Sequence, residues 1–117
     1  MPTSQHKPSG FVAQGVAEDV AVGVIQLFSG LPRALRCYED QAIRASGSVV
    51  LNLAEGSGRR GRDRKRFWQV AHASNREVQA AVRVVVAAGA VDRVKGVALL
   101  TQLDRLGGLT YGLWRGA

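Results

Sequence analysis

The sequence predicts an all-α fold, an antiparallel up-down four-helix bundle. Three observations lead there: apolar residues recur at three- and four-residue steps in four separate segments, breaks rich in Gly divide the segments, and no stretch alternates with the period of two that a strand requires. At 117 residues the chain suits one domain with one core.

Residues 1–14 carry Pro2, Pro8 and Gly10 among polar neighbours, which predicts a flexible arm ahead of a bundle over 15–117. A first helix is expected over 16–28, where the chain turns apolar, with Ser29-Gly30-Leu31-Pro32 as its stop. A second is expected over 38–55 on Ile43, Val49, Val50 and Leu53, ended by Gly56-Ser57-Gly58. Asp63 is a candidate N-cap for the third and longest helix, in which Phe67, Ala71, Ser74, Val78, Val82 and Val85 keep helical spacing as far as Gly89. Asp92 is placed to cap the fourth, whose stripe is Leu99, Leu103, Leu106 and Leu113, while Gly107, Gly108 and Gly112 predict fraying near its end. Short connections make sequential helices antiparallel neighbours.

Apolar residues at 46% and charged residues at 21% describe a globular chain rather than a disordered or membrane one. The most apolar stretch, 78–94, is interrupted by Gln79, Arg83, Gly89, Asp92 and Arg93, so no membrane span is expected. The polar N-terminus lacks the apolar segment of a secretory signal. With Cys37 as its one cysteine the chain forms no internal disulfide, and the reducing cytoplasm is the expected compartment.

The formal charge is +7, and its excess is concentrated. Within residues 56–66, Arg59, Arg60, Arg62, Arg64, Lys65 and Arg66 face only Asp63. Such a run attracts polyanions, either nucleic acid or an acidic membrane surface, unless it is merely solvated. On the third helix Arg62, Lys65, Gln69, His72, Arg76, Gln79 and Arg83 continue it at steps of three and four with no acidic member. That stripe spans roughly 30 Å, comparable with about ten base pairs or a run of single-strand phosphates. An ordinary solvent face mixes signs to gain i,i+4 pairs, so this one favours polyanion binding through Arg59, Arg60, Arg62, Arg64, Lys65, Arg66, Arg76 and Arg83.

Catalytic and metal constellations are sparse. His6, His72 and Cys37 do not make a metal site of ordinary ligand count, and no cofactor is implied. Gly56-Ser57-Gly58 with Arg59, Arg60 and Gly61 resembles a phosphate-cradling loop in composition, but it follows a helix and lacks a Gly-Lys-Ser/Thr ending. A polar row at Arg44, Ser48, Asn52 and Glu55 lies along one side of the second helix, opposite Ser74 and Glu77 of the third. The row reads as a hydrogen-bonded network that sets helix register, with acid–base use of Glu55 and Glu77 as the lesser alternative. Arg44, Asn52, Glu55 and Glu77 are therefore expected to be largely buried, and truncating Arg44 or Glu77 to cost about 3 to 5 kcal/mol. Trp68 has three readings: subunit contact, a stack for a base, or core.

The segment Gln41-Ala42-Ile43-Arg44-Ala45-Ser46-Gly47-Ser48, followed by Asn52-Leu53-Ala54-Glu55-Gly56, Arg66-Phe67, Ala71, Ser74 and Glu77, resembles a bacterial family of four-helix-bundle proteins encoded by intervening sequences of large-subunit ribosomal RNA genes. The resemblance covers residues from about Leu31 to Gly89. It implies a bundle that assembles as a homopentameric ring without known enzymatic activity. It also implies a distant relation to the accessory protein of diversity-generating retroelements, which binds a reverse transcriptase and its RNA. Val16-Ala17-Glu18-Asp19-Val20 lacks the aromatic residue usual at that point of the family, and Arg33-Ala34-Leu35-Arg36 lacks the acidic pair usual after the proline.

Residues and resemblance together lead to the expectation of a non-enzymatic, oligomeric accessory protein that binds nucleic acid, RNA more than DNA. The alternative is a protein-interaction scaffold for a partner such as a reverse transcriptase.

Overall fold

The structure, a computed structural model, describes residues 9–117. They form four helices, α1 (Ser9–Phe28), α2 (Arg36–Ser57), α3 (Gly61–Ala87) and α4 (Arg93–Gly116), with a 3-10 turn at Arg33–Leu35 leading into α2. No strand occurs among the described residues. Cross-helix contacts set the direction of each helix. Trp68 and Leu53 join the start of α3 to the end of α2, and Gln41 and Glu77 join their opposite ends. Lys65 of early α3 lies over the Trp114 ring of late α4, and Gln14 of early α1 donates to the Val50 carbonyl of late α2. Sequential helices are thus antiparallel. With α1 also packed on α4, the up-down bundle closes on itself.

The helix boundaries differ from the expected ones for identifiable reasons. Helix α1 begins at Ser9, so the expected arm over 1–14 overlaps it, and residues 1–8 lie outside the described residues. Ala13, Val16 and Ala17 are buried, so the helix is held by core packing that a reading of turn residues does not register. Asp63 is not the N-cap of α3. Arg60, in an extended conformation at φ −134° and ψ 158°, takes that position, and Asp63 sits in the first turn, where its carboxylate suits the positive end of the helix dipole. Asp92 does cap α4, its side chain accepting from the Lys95 N–H at 2.9 Å. Helix α3 ends as expected at Gly89, whose φ of 70° lets Gly89 N–H and Ala90 N–H reach back to the carbonyls of Val86 and Val85. Helix α4 continues through its glycines to Gly116 because Leu106 and Thr110 are buried against α3.

The core is built mainly from valines and alanines on α1, α2 and α3, with Phe28, Leu53 and Trp68 as their large members, and from leucines on α4. Val20, Val24 and Phe28 of α1, Val49 and Leu53 of α2, and Val78, Val82 and Val85 of α3 enclose Leu103 and Leu106 of α4. Each such burial contributes about 1.5 to 3 kcal/mol. Gly56, read from the sequence as a stop, lies inside α2 and is buried. A Cβ there would come within 2.5 Å of the Trp68 ring, so the missing side chain is the space that the indole occupies. Trp68 is core, only 8% exposed, and donates from Nε1 to the Leu53 carbonyl at 3.2 Å, which leaves it unavailable as a subunit contact or a base stack.

Candidate nucleic-acid interface

The basic run divides by what each residue has to do locally. Arg64 donates to the carbonyls of Gly56 and Ser57, satisfying the C-terminal end of α2, and its guanidinium lies 5.2 Å from the Trp68 ring. Arg59 is paired with Glu55 at 2.7 Å and Asp63 at 3.8 Å. Its bonding to the Glu55 carboxylate raises the guanidinium above its ordinary pKa. Arg59 and Arg66 also stand 5.1 and 5.0 Å from the Phe67 ring, on which their apolar planes are supported. Lys65 is half-buried over Trp114.

Arg60, Arg62, Arg66, Arg76 and Arg83 remain. All five are exposed, and none has an ion-pairing carboxylate among the described residues. Four of them lie on α3, where Arg62, Arg66, Gln69, Arg76 and Arg83 occupy its solvent face. The expected single stripe is therefore two rows. Lys65 and His72 turn toward α4 and, like Gln79, are half-buried, while the arginines face outward.

The polar row of α2 meets α3, but at the surface. Arg44, Glu55 and Glu77 are exposed and Asn52 is half-buried, contrary to the expected burial of all four. Burial on these helices falls to small residues such as Ala42, Ala45, Ser46 and Ala71, while the longer side chains of the row reach water. The register network runs through shorter groups. Ser48 and Ser74 hydroxyls meet at 2.9 Å, Asn52 donates to Ser48 at both its carbonyl and its hydroxyl, and Gln41 bridges Arg44 to Glu77. Truncating Arg44 or Glu77 accordingly removes surface bonds contributing about 1 kcal/mol or less, not 3 to 5. Glu55 and Glu77 are not brought together, since each is engaged by a different partner, Arg59 and Gln41.

A group missed in the sequence lies where α3 meets the end of α4. His72, Tyr111 and Trp114 form an aromatic cluster with ring centroids 5.8, 6.4 and 5.5 Å apart, flanked by Lys65 and by Arg115, which stands 5.5 Å from the Tyr111 ring. The available signal was the spacing of Tyr111, Trp114 and Arg115 at three and four residues, obscured by the surrounding glycines. Thr110 directs its hydroxyl hydrogen to the Leu106 carbonyl at 3.0 Å, so we assign the 2.8 Å contact with His72 as Nδ1–H donating to Thr110.

Burial lowers the His72 pKa below its ordinary value, and the neighbouring Arg76 charge lowers it further. The ring is neutral near pH 7. An unfolded chain takes up this proton first as pH falls below about 6.5, so stability is lost on acidification through that value and levels off below the depressed folded pKa. The Tm of a His72→Asn variant should fall less between pH 7.5 and 5 than that of the parent. Parallel curves would remove His72 from the pH response.

Fold and surface together define a four-helix bundle carrying a basic helix face beside an aromatic cluster. The chain belongs to the 23S rRNA-intervening sequence protein family, which matches it over residues 13–112. Among solved structures it is similar to a protein of unknown function from the S23 ribosomal protein family of Bacteroides thetaiotaomicron VPI-5482. That structure has a TM-score of 0.81 at 14% identity, over 92% of this chain and 99% of the other. No curated protein matches it. No helix among the described residues is long and apolar enough to cross a membrane.

Proposed function

We propose that this protein is a non-enzymatic accessory protein that binds nucleic acid, RNA in preference to DNA, and acts as a cytoplasmic homo-oligomer. The observation that carries the reading is the set of exposed guanidinium groups at Arg60, Arg62, Arg66, Arg76 and Arg83, none with an ion-pairing carboxylate among the described residues. Guanidinium forks suit phosphate oxygens, and arginines on one helix face track a backbone rather than read bases. The preference for RNA rests on the family's connection with ribosomal RNA genes. Titration of a labelled RNA at 50 to 200 mM salt should give a logarithmic affinity that falls steeply and linearly with the logarithm of salt. Affinity indifferent to salt would reject the reading.

Assembly is supported by exposed apolar side chains. Val22 and Ile25, three residues apart on one face of α1, are 53% and 54% exposed, and Leu51 of α2 is 69% exposed. A ring, pentameric by the family resemblance, would repeat the basic face and add weak contacts by multivalency. Light scattering at micromolar concentration should give a mass several times that of one chain, and a monomer would end the ring reading. The same exposed apolar residues favour a second reading, a scaffold that docks a partner such as a reverse transcriptase while its charge serves solubility. Salt-insensitive RNA affinity would favour it.

A further inference from the structure

We propose that the aromatic cluster at the α3–α4 seam is a subsite that stacks an unpaired base of single-stranded RNA, with Tyr111 and Trp114 as the platform and Lys65, Arg76 and Arg115 holding the adjacent phosphates. This rests on the nucleic-acid-binding reading and makes it more specific, because a row of arginines alone does not distinguish a single strand from a duplex.

Three features lead to it. Tyr111 is 47% exposed although it belongs to a ring cluster, and it stands at 85° to Trp114, an edge-to-face arrangement that leaves ring surface unstacked. The cations nearest the rings are not tied to carboxylates among the described residues: the half-buried Lys65 lies 5.9 Å from the centroid of Trp114, and the exposed Arg115 donates to the Tyr111 hydroxyl at 3.2 Å. Trp114 Nε1 is shielded and finds no acceptor among the described residues, so no hydrogen bond from it fixes the indole. In the free protein the cations lie over the rings. An arriving phosphate is the stronger partner for a cation, so its binding draws the cation off and uncovers ring surface for the base. His72 closes the inner side of the cluster through its bond to Thr110. The cluster borders the outward arginine row through Arg76, so a strand lying along α3 passes its edge. A duplex keeps its bases paired and offers nothing to stack, whereas single strands combine a charged groove with ring stacking.

The test compares a labelled single-stranded 12-nucleotide RNA with a duplex of that length, using the parent, Tyr111→Ala, Tyr111→Phe and Trp114→Phe. Tyr111→Ala should weaken single-strand binding about tenfold or more and leave duplex affinity and the salt slope unchanged. Tyr111→Phe should retain binding. Single-strand RNA should quench the tryptophan fluorescence of the parent and fail to quench that of Trp114→Phe, in which the buried Trp68 remains. If Tyr111→Ala leaves single-strand affinity unchanged, or lowers single-strand and duplex affinity equally, the subsite is rejected while the basic-face reading stands. If the parent binds neither RNA in a salt-sensitive way, both are rejected.

Discussion

Replacing Arg62, Arg66, Arg76 and Arg83 together by alanine is expected to weaken RNA binding about a hundredfold or more at physiological salt and to reduce the salt slope by about three units. Each phosphate contact contributes about 0.7 to 0.9 of a unit through counterion release. The loss should be nearly equal for different RNA sequences, since these groups position a backbone. The fold should survive, because all four side chains are exposed on the side of α3 away from the core. Charge reversal at Arg62 and Lys65 should weaken binding more than truncation, by repelling phosphates. Arg59→Ala and Arg64→Ala make the contrasting controls. The first side chain is paired with Glu55 and the second supports the carbonyl end of α2, so Arg64→Ala should lower stability before it lowers affinity. Unchanged RNA affinity in the fourfold variant would turn the basic face into solvated surface and favour the scaffold reading.

Trp68→Ala is expected to destabilise the protein by about 3 to 5 kcal/mol, a large fraction of the stability of a domain this size. The indole fills the notch left by Gly56, donates to the Leu53 carbonyl and lies under the Arg64 guanidinium, so its removal opens a cavity beneath the α2–α3 connection. Thermal unfolding should show a Tm lower by about 10 to 20 °C. This ring joins the end of α2 to the start of α3 on either side of the basic run, so RNA affinity should fall as well, and more steeply with temperature than in the arginine variants. A Tm within 2 or 3 °C of the parent would mean that the Gly56–Trp68 contact is not a support of the connection.

The polar row shows how periodicity can place residues correctly and still misjudge their environment. Arg44, Ser48, Asn52 and Glu55 do share a side of α2, and that side does meet α3 near Ser74 and Glu77. Burial depends on how far the row stands from the line between the two axes, and here the buried positions are taken by small residues such as Ala42, Ala45 and Ala71 while the row lies at the flank. Glycines misled the reading of boundaries in a similar way. Gly89 stops a helix because its backbone is left-handed there, whereas Gly56 has no such role and is small because a tryptophan from the next helix needs the space.

The sequence by itself determined the helix count, the Asp92 cap, the Gly89 stop, the leucine stripe of α4 and the concentration of positive charge ahead of and along α3, all of them properties of one segment at a time. Only the tertiary structure decided which cations are free. Arg59 and Arg64 are held by Glu55 and by the end of α2, while Arg62, Arg66, Arg76 and Arg83 have no such partners among the described residues. It also brought His72 beside Tyr111 and Trp114, 39 and 42 residues further along the chain, into a cluster that no spacing within one helix describes. The physical reason is the same in both cases: a local pattern fixes the direction in which a side chain leaves its helix, and the partner it meets belongs to another.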